Sequence, residues 1–217
     1  MIKAFFPHRE EKVALLSIFV VWLMHITAMI GIGNGNLNFF VEKTPFTLLI
    51  ITGVLVFNYK LDSIKKLVLF VLFGLVGMLA EWLGVSYGLF FGEYVYGTNF
   101  GPKLDGVPYL IGVNWAILVF ITGSISNHLS NNIAIKILSG ALLMVILDYF
   151  METSAPIFDY WTFEGGIAPL QNYVAWFIIA ALLHTIYQLC KLRGNFVISL
   201  HLYLAQLIFF IFFYGLF

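Results

Sequence analysis

Long apolar runs separated by short polar connections set the pattern of this chain. Runs approaching the roughly 20 residues that cross a bilayer cover residues 13–33, 45–59, 67–92, 107–126, 133–152, 172–190 and 196–217. They predict an all-α fold: a polytopic membrane bundle of about seven helices forming one integral-membrane domain over residues 1–217. The second run is the shortest. The first is too long for a secretory signal and lacks a small-residue cleavage pattern, so it counts as a crossing. Three connections are long, residues 34–44, 93–106 and 153–171, and all fall on one side. Irregular chain of that length in a compact protein is where function concentrates.

Cations give that side its name. With seven crossings, one face holds Lys3, Arg9, Lys12, Lys60, Lys65, Lys66, Lys136, Lys191 and Arg193, and the other holds only Lys43 and Lys103. Lys and Arg gather on the cytoplasmic side, which puts the N-terminus inside and the three long connections outside.

Composition agrees with the pattern. Hydrophobic residues make up 61% of the chain and charged ones 10%, with a mean hydropathy of +0.96, far from the mix of a soluble domain. A formal net charge of zero offers no case for nucleic acid. The one cysteine, Cys190, excludes an internal disulfide and a cysteine-rich metal site.

Several membrane chemistries lack their residues. The last run has no lysine for a retinal Schiff base, and His8, His25, His128, His184 and His201 are scattered rather than boxed as di-iron enzymes require. No DDxxD-like run is present to hold a diphosphate through magnesium. The stretch GVSYG at residues 84–88 is a weak nucleophile-turn match inside a crossing, and GIGNGN at residues 31–36 follows a helix rather than a strand. Any reaction is therefore expected to need no cofactor and no metal, only acids, water and a shaped apolar cavity.

The acids are the anomaly. Glu81 and Asp148 fall inside crossings, at about 21 and 22 Å from the inner edge by helix rise. Glu152 follows Asp148 by four residues, on the same helix face. A charge at the bilayer centre costs about 2.5 to 3.5 kcal/mol, so intramembrane acids default to a functional reading. Held neutral, such a carboxyl is a general acid; two carboxyls in reach of each other share protons unequally, giving an acid and a base at one address. His25, Asn114, Trp115 and Gln206 reach similar depths and suggest a polar layer toward the outer leaflet.

Plainer readings stand beside this one. Glu152 near the interface could be solvated or cap a helix, and Glu81 and Asp148 could make interhelical hydrogen bonds. Tyr94, Tyr96, Trp161, Tyr173 and Trp176 could belong to the interfacial aromatic belt. His25 and His184 read better as hydrogen-bonded helix contacts than as bases.

Three stretches, EWLGVSYGLFFGEYVYGTNFGPKLDGVPYLIGVNW (residues 81–115), LDYFMETSAPIFDYW (147–161) and PLQNYVAW (169–176), together resemble the integral-membrane carotenoid biosynthesis proteins of the CruF type, the carotenoid 1,2-hydratases. The signals are the acid in the third crossing, the aromatic loop carrying Gly92, Glu93, Tyr94, Tyr96, Gly97 and Pro102, and the D-x-x-x-E then Y-W pattern. After the fifth crossing the chain departs from the family's Glu-Pro, running E-T-S-A-P from Glu152 to Pro156.

The resemblance implies water addition across the terminal 1,2 double bond of an acyclic carotenoid, giving a tertiary 1-hydroxy group. It implies a lipophilic carotenoid substrate among membrane lipid, and residence in a prokaryotic cytoplasmic membrane. On this reading Asp148 or Glu81 donates the proton, and Glu152 or Asp159 positions or deprotonates the water. Tyr94, Tyr96, Trp115, Trp161 and Trp176 line the end-group pocket, with Asn114 and Asn172 as water ligands. Aromatic faces there suit a developing cation. The rival enzyme is a lycopene-cyclase-like protein, in which the protonated end cyclises. The rival from another class is a proton-coupled carrier or pigment binder, against which the chain shows no inverted repeat.

Overall fold

A computed structural model describes residues 9–59 and 63–217, so Lys3, His8 and Lys60 lie outside the described residues. The helices are α1 (Arg9–Gly33), α2 (Leu37–Val41), α3 (Thr44–Tyr59), α4 (Ile64–Tyr87), α5 (Tyr109–Leu129), α6 (Ile133–Ser154), α7 (Leu170–Leu189) and α8 (Phe196–Tyr214). Taking α2 and α3 together as Leu37–Tyr59, seven stretches are long and apolar enough to cross a membrane.

Helix starts follow local chemistry. Helices α4, α6 and α8 begin on the inner side behind Ser63, Asn132 and Asn195, whose side chains accept from backbone N–H groups of the first turn. Helices α5 and α7 begin on the outer side directly after Pro108 and Pro169, where the ring fixes φ before the helix. The third crossing is shorter than expected at its outer end: α4 stops at Tyr87 because Gly88 takes a left-handed conformation, φ 64°, and its N–H returns to the Gly84 carbonyl.

Helix α5 is the axis of the bundle. It packs against α3, α4, α6, α7 and α8, and 83% of its membrane-length window is buried, against 17% for α1. The outer helices turn large apolar side chains such as Phe57, Leu75 and Leu182 outward, where lipid takes the place of a protein partner.

The long outer connections are more ordered than their composition implied. The connection over residues 34–44 contains α2. The other two pair with each other: β1 (Tyr94–Tyr96) lies antiparallel to β4 (Trp161–Phe163), with Tyr94 opposite Phe163 and Tyr96 opposite Trp161. A second pair, β2 (Lys103–Leu104) and β3 (Val107–Pro108), closes the turn before α5. The β1–β4 ribbon is thus a clasp over the outer end of α4, α6 and α7.

Candidate functional site

Glu81 on α4 is 3% exposed and receives three donors. Strand β1 alternates buried, exposed, buried, so the two-residue period sends Tyr94 and Tyr96 inward together. The Tyr94 hydroxyl donates to Glu81 Oε2 at 2.6 Å and the Tyr96 hydroxyl to the same oxygen at 2.7 Å. From α5, Trp115 Nε1 donates to Oε1 at 2.9 Å. Three donors and no acceptor aimed at it make this the hydrogen-bond set of an acceptor carboxyl. Burial, and then the Glu81 charge, hold both tyrosine hydroxyls well above their ordinary pKa, so they remain donors. Trp115 itself stacks on Trp176 of α7, centroids 3.9 Å apart.

Asp148 and Glu152 face the same space from α6, and one amide links them. Asn172 Nδ2, in the first turn of α7, donates to Asp148 Oδ2 at 2.9 Å and to Glu152 Oε1 at 3.1 Å. Trp161 Nε1, on β4, donates to Glu152 Oε2 at 2.9 Å. Asp148 Oδ1 is buried with no hydrogen-bond partner. A carboxyl oxygen with no donor aimed at it suits a protonated O–H directed at whatever enters the cavity.

Glu81, Tyr94, Tyr96, Asp148, Glu152, Trp161, Asn172 and Trp176 all border this one cavity, with about 20 Å³ of room for water centres. That is the size of about one water molecule. It shares Glu152, Trp161 and Phe163 with a cleft of about 330 Å³ at the outer ends of α6, α7 and α8, to which Tyr149, Tyr173 and Tyr214 contribute. Among the described residues, no group of three His, Cys, Asp or Glu side chains is arranged to hold a metal ion.

Three expected members do not border the cavity: Trp115 is fully buried and reaches the site through its bond to Glu81, and the other two lie elsewhere. Asp159 is exposed at a left-handed position, φ 51°, and its Oδ2 accepts from the Thr98 N–H at 2.8 Å and hydroxyl at 2.5 Å. Those Thr98 bonds hold its carboxyl below the ordinary Asp value, and its job is to fasten the outer loops. Its carboxylate is engaged by Thr98 and does not border the acid cavity, despite its closeness to Glu152 in sequence. Asn114 precedes Trp115 but lies on another face of α5, where it lines a separate cavity of about 90 Å³ with His25, Met151, Tyr160 and Gln206. Three cavity residues are not among those expected from the sequence: Phe91, Ile111 and Phe163. The W-T-F alternation of β4 was the available signal for Phe163.

The remaining outer polar groups belong to the loops. Glu93 and Glu164 meet at the end of the clasp, and the shared hydrogen bond and repulsion from Glu164 raise the Glu93 pKa. The buried Tyr160 hydroxyl shares a hydrogen bond with Thr44 and is pushed up to about 12 by burial.

The sequence profile of a family described as "Carotenoid biosynthesis protein" matches residues 43–217. A bisanhydrobacterioruberin hydratase of Haloarcula japonica is 30% identical over 107 residues, which cover 45% of this chain and 36% of that protein. The matched part is therefore about a third of that relative's length. No solved structure matches the chain.

Proposed function

Because the chain belongs to the carotenoid biosynthesis protein family, we propose that it is a cofactor-independent carotenoid hydratase, adding water across the terminal 1,2 double bond of an acyclic end group. The observation that carries this reading is the convergence of three carboxyls, one unpartnered oxygen and an aromatic wall on a cavity of one-water size.

The reading narrows the donor to Asp148. Glu81 is occupied by three donors and serves as a fixed anion, whereas Asp148 Oδ1 is free to carry the proton. The end of the polyene enters by the 330 Å³ cleft and meets Glu152 and Trp161 at the boundary of the acid cavity. The π pair of the C1–C2 double bond takes the Asp148 proton at C2, leaving a tertiary cation at C1. The Glu81 charge and the faces of Trp161 and Tyr96 lower its energy. Water held at Glu152 bonds to C1 and gives a proton to that carboxylate; transfer back to Asp148, one helical turn away, restores the starting state. The net change is one water added, with no redox step. The relative's printed activity, a hydratase, supports the same class.

The test is expression in a lycopene-making bacterium and mass spectrometry of the extracted pigments, beside Asp148→Asn and an empty vector. A gain of one or two waters, absent from the variant, is expected. A new isomer of unchanged mass would mean cyclisation instead, and unaltered pigment with correctly folded protein would count against the lycopene substrate and return the carrier reading.

A further inference from the structure

The opposite end of the bundle holds a second polar cleft that plays no part in the reaction. It has a volume of about 570 Å³ and lies on the inner side, where α5 and α7 end and α6 and α8 begin. Three cations border it, Lys136, Lys191 and Arg193, and none of its lining residues is acidic. The K-L-R alternation explains two of them: Leu192 is 4% exposed and anchors the turn, so its neighbours Lys191 and Arg193 are both turned outward. Lys191 is held there in a left-handed backbone conformation, φ 52°.

Two further features bear on what the cleft can hold. The first residues of α6 and α8, Ile133 and Phe196, border the cleft beside His128 and Gln188 from the last turns of α5 and α7. The positive and negative helix ends there offset each other, and the side-chain cations set the sign. Gln188, 9% exposed, also lines it, and its Nε2 is buried with no hydrogen-bond partner. A buried amide donor left unmatched costs about 1 to 3 kcal/mol. An acceptor reaching that amide as the side chain rotates toward the cleft relieves the cost, and three cations with no acid among the lining residues favour an anion.

We propose that this cleft binds a phosphate group, supplied by an anionic phospholipid of the inner leaflet. The position supports the lipid source: the cleft opens at the level where inner-leaflet headgroups lie, and basic pockets between helix ends are a recurrent form of headgroup recognition. The proposal is independent of the hydratase reading, because no residue of the acid cavity takes part.

The experiment compares the full-length protein in nanodiscs of phosphatidylcholine with and without phosphatidylglycerol, by native mass spectrometry and thermal melting, with inorganic phosphate as a separate arm. Wild type is expected to retain phosphatidylglycerol and to melt higher with it. The pair Lys136→Gln and Arg193→Gln removes two cations and is expected to weaken retention about thirtyfold. Lys12→Gln with Lys66→Gln removes the same charge from the same face outside the cleft and is expected to leave retention unchanged. Gln188→Leu is expected to reduce retention while melting in pure phosphatidylcholine stays at or above wild type, since it deletes only an unmatched donor. Equal loss in both lysine-containing pairs, or no preference for phosphatidylglycerol, would overturn the site. Stabilisation by inorganic phosphate with no lipid retained would overturn the lipid source.

Discussion

At the residue scale, the acid cavity separates three carboxyls by what donates to them. Asp148→Asn keeps the shape and deletes the acid, so a loss of about 10²- to 10⁴-fold in hydration rate is expected with the fold intact, the range for positioned proton transfer. Tyr96→Phe removes one of three donors to Glu81 and is expected to slow the reaction less, leaving product identity unchanged. Asp159→Ala should do neither; it is expected to lower the melting temperature and leave the rate per folded molecule near wild type. Together, pigment analysis and a melt distinguish chemistry from fastening. Glu81, Asp148 and Glu152 were legible in the sequence because carboxyls are conspicuous in an apolar run. Asp159 is an expected water-handling residue that the structure instead bonds to Thr98, a pairing between two distant connections that the sequence does not display. Asn114 has the depth expected of a site residue but faces the other cavity: adjacent residues on a helix point about 100° apart, so it does not share the direction in which Trp115 reaches Glu81.

At the element scale, the clasp of β1 and β4 decides whether the site exists, since it delivers Tyr94, Tyr96 and Trp161 to two different acids. Gly97 follows β1 immediately, and a Cβ there would collide with the Asp159 carbonyl and carboxylate. Gly97→Val is therefore expected to part the strands and abolish activity, while the helices remain folded by circular dichroism. The Thr98–Asp159 fastening also sets an acid limit. A carboxyl whose folded pKa is depressed contributes stability that is present above its ordinary value, 3.8, and lost as pH falls through the folded value. Outer-loop proteolysis is expected to accelerate below about pH 3.8 in wild type, and this step should be missing in Asp159→Ala. Glu93 behaves in the opposite sense: the hydrogen bond shared with Glu164, and then repulsion from it, raise its pKa, so ionisation at neutral pH works against the pair and Glu164→Gln is expected to slow the same proteolysis at pH 7. The helices were legible by their length, but strands of three residues carry too little periodicity to stand out among aromatics, and the pairing of two connections about 65 residues apart is a property of the folded bundle.

At the scale of the whole molecule, the cations and the acids divide the protein into two ends. The cationic end faces inward, with the phosphate cleft. The acid end faces outward, under the clasp. Cys190, half-buried at the inner end of α7, is expected to react with a membrane-impermeant maleimide only after the membrane is opened, whereas a cysteine placed at Thr162 should react from outside in intact cells. The number of crossings was legible because hydropathy and charge bias agree, and the central place of α5 was not, since its apolar content resembles that of its lipid-facing neighbours. The size of the acid cavity has a further consequence. With room for about one water, the acid cavity has no reservoir of its own, and on the hydratase reading each turnover draws a molecule from outside by way of the adjoining cleft. Hydration there should follow the thermodynamic activity of water: high concentrations of an excluded osmolyte are expected to slow the reaction in proportion, making this a membrane enzyme whose output is sensitive to osmotic stress.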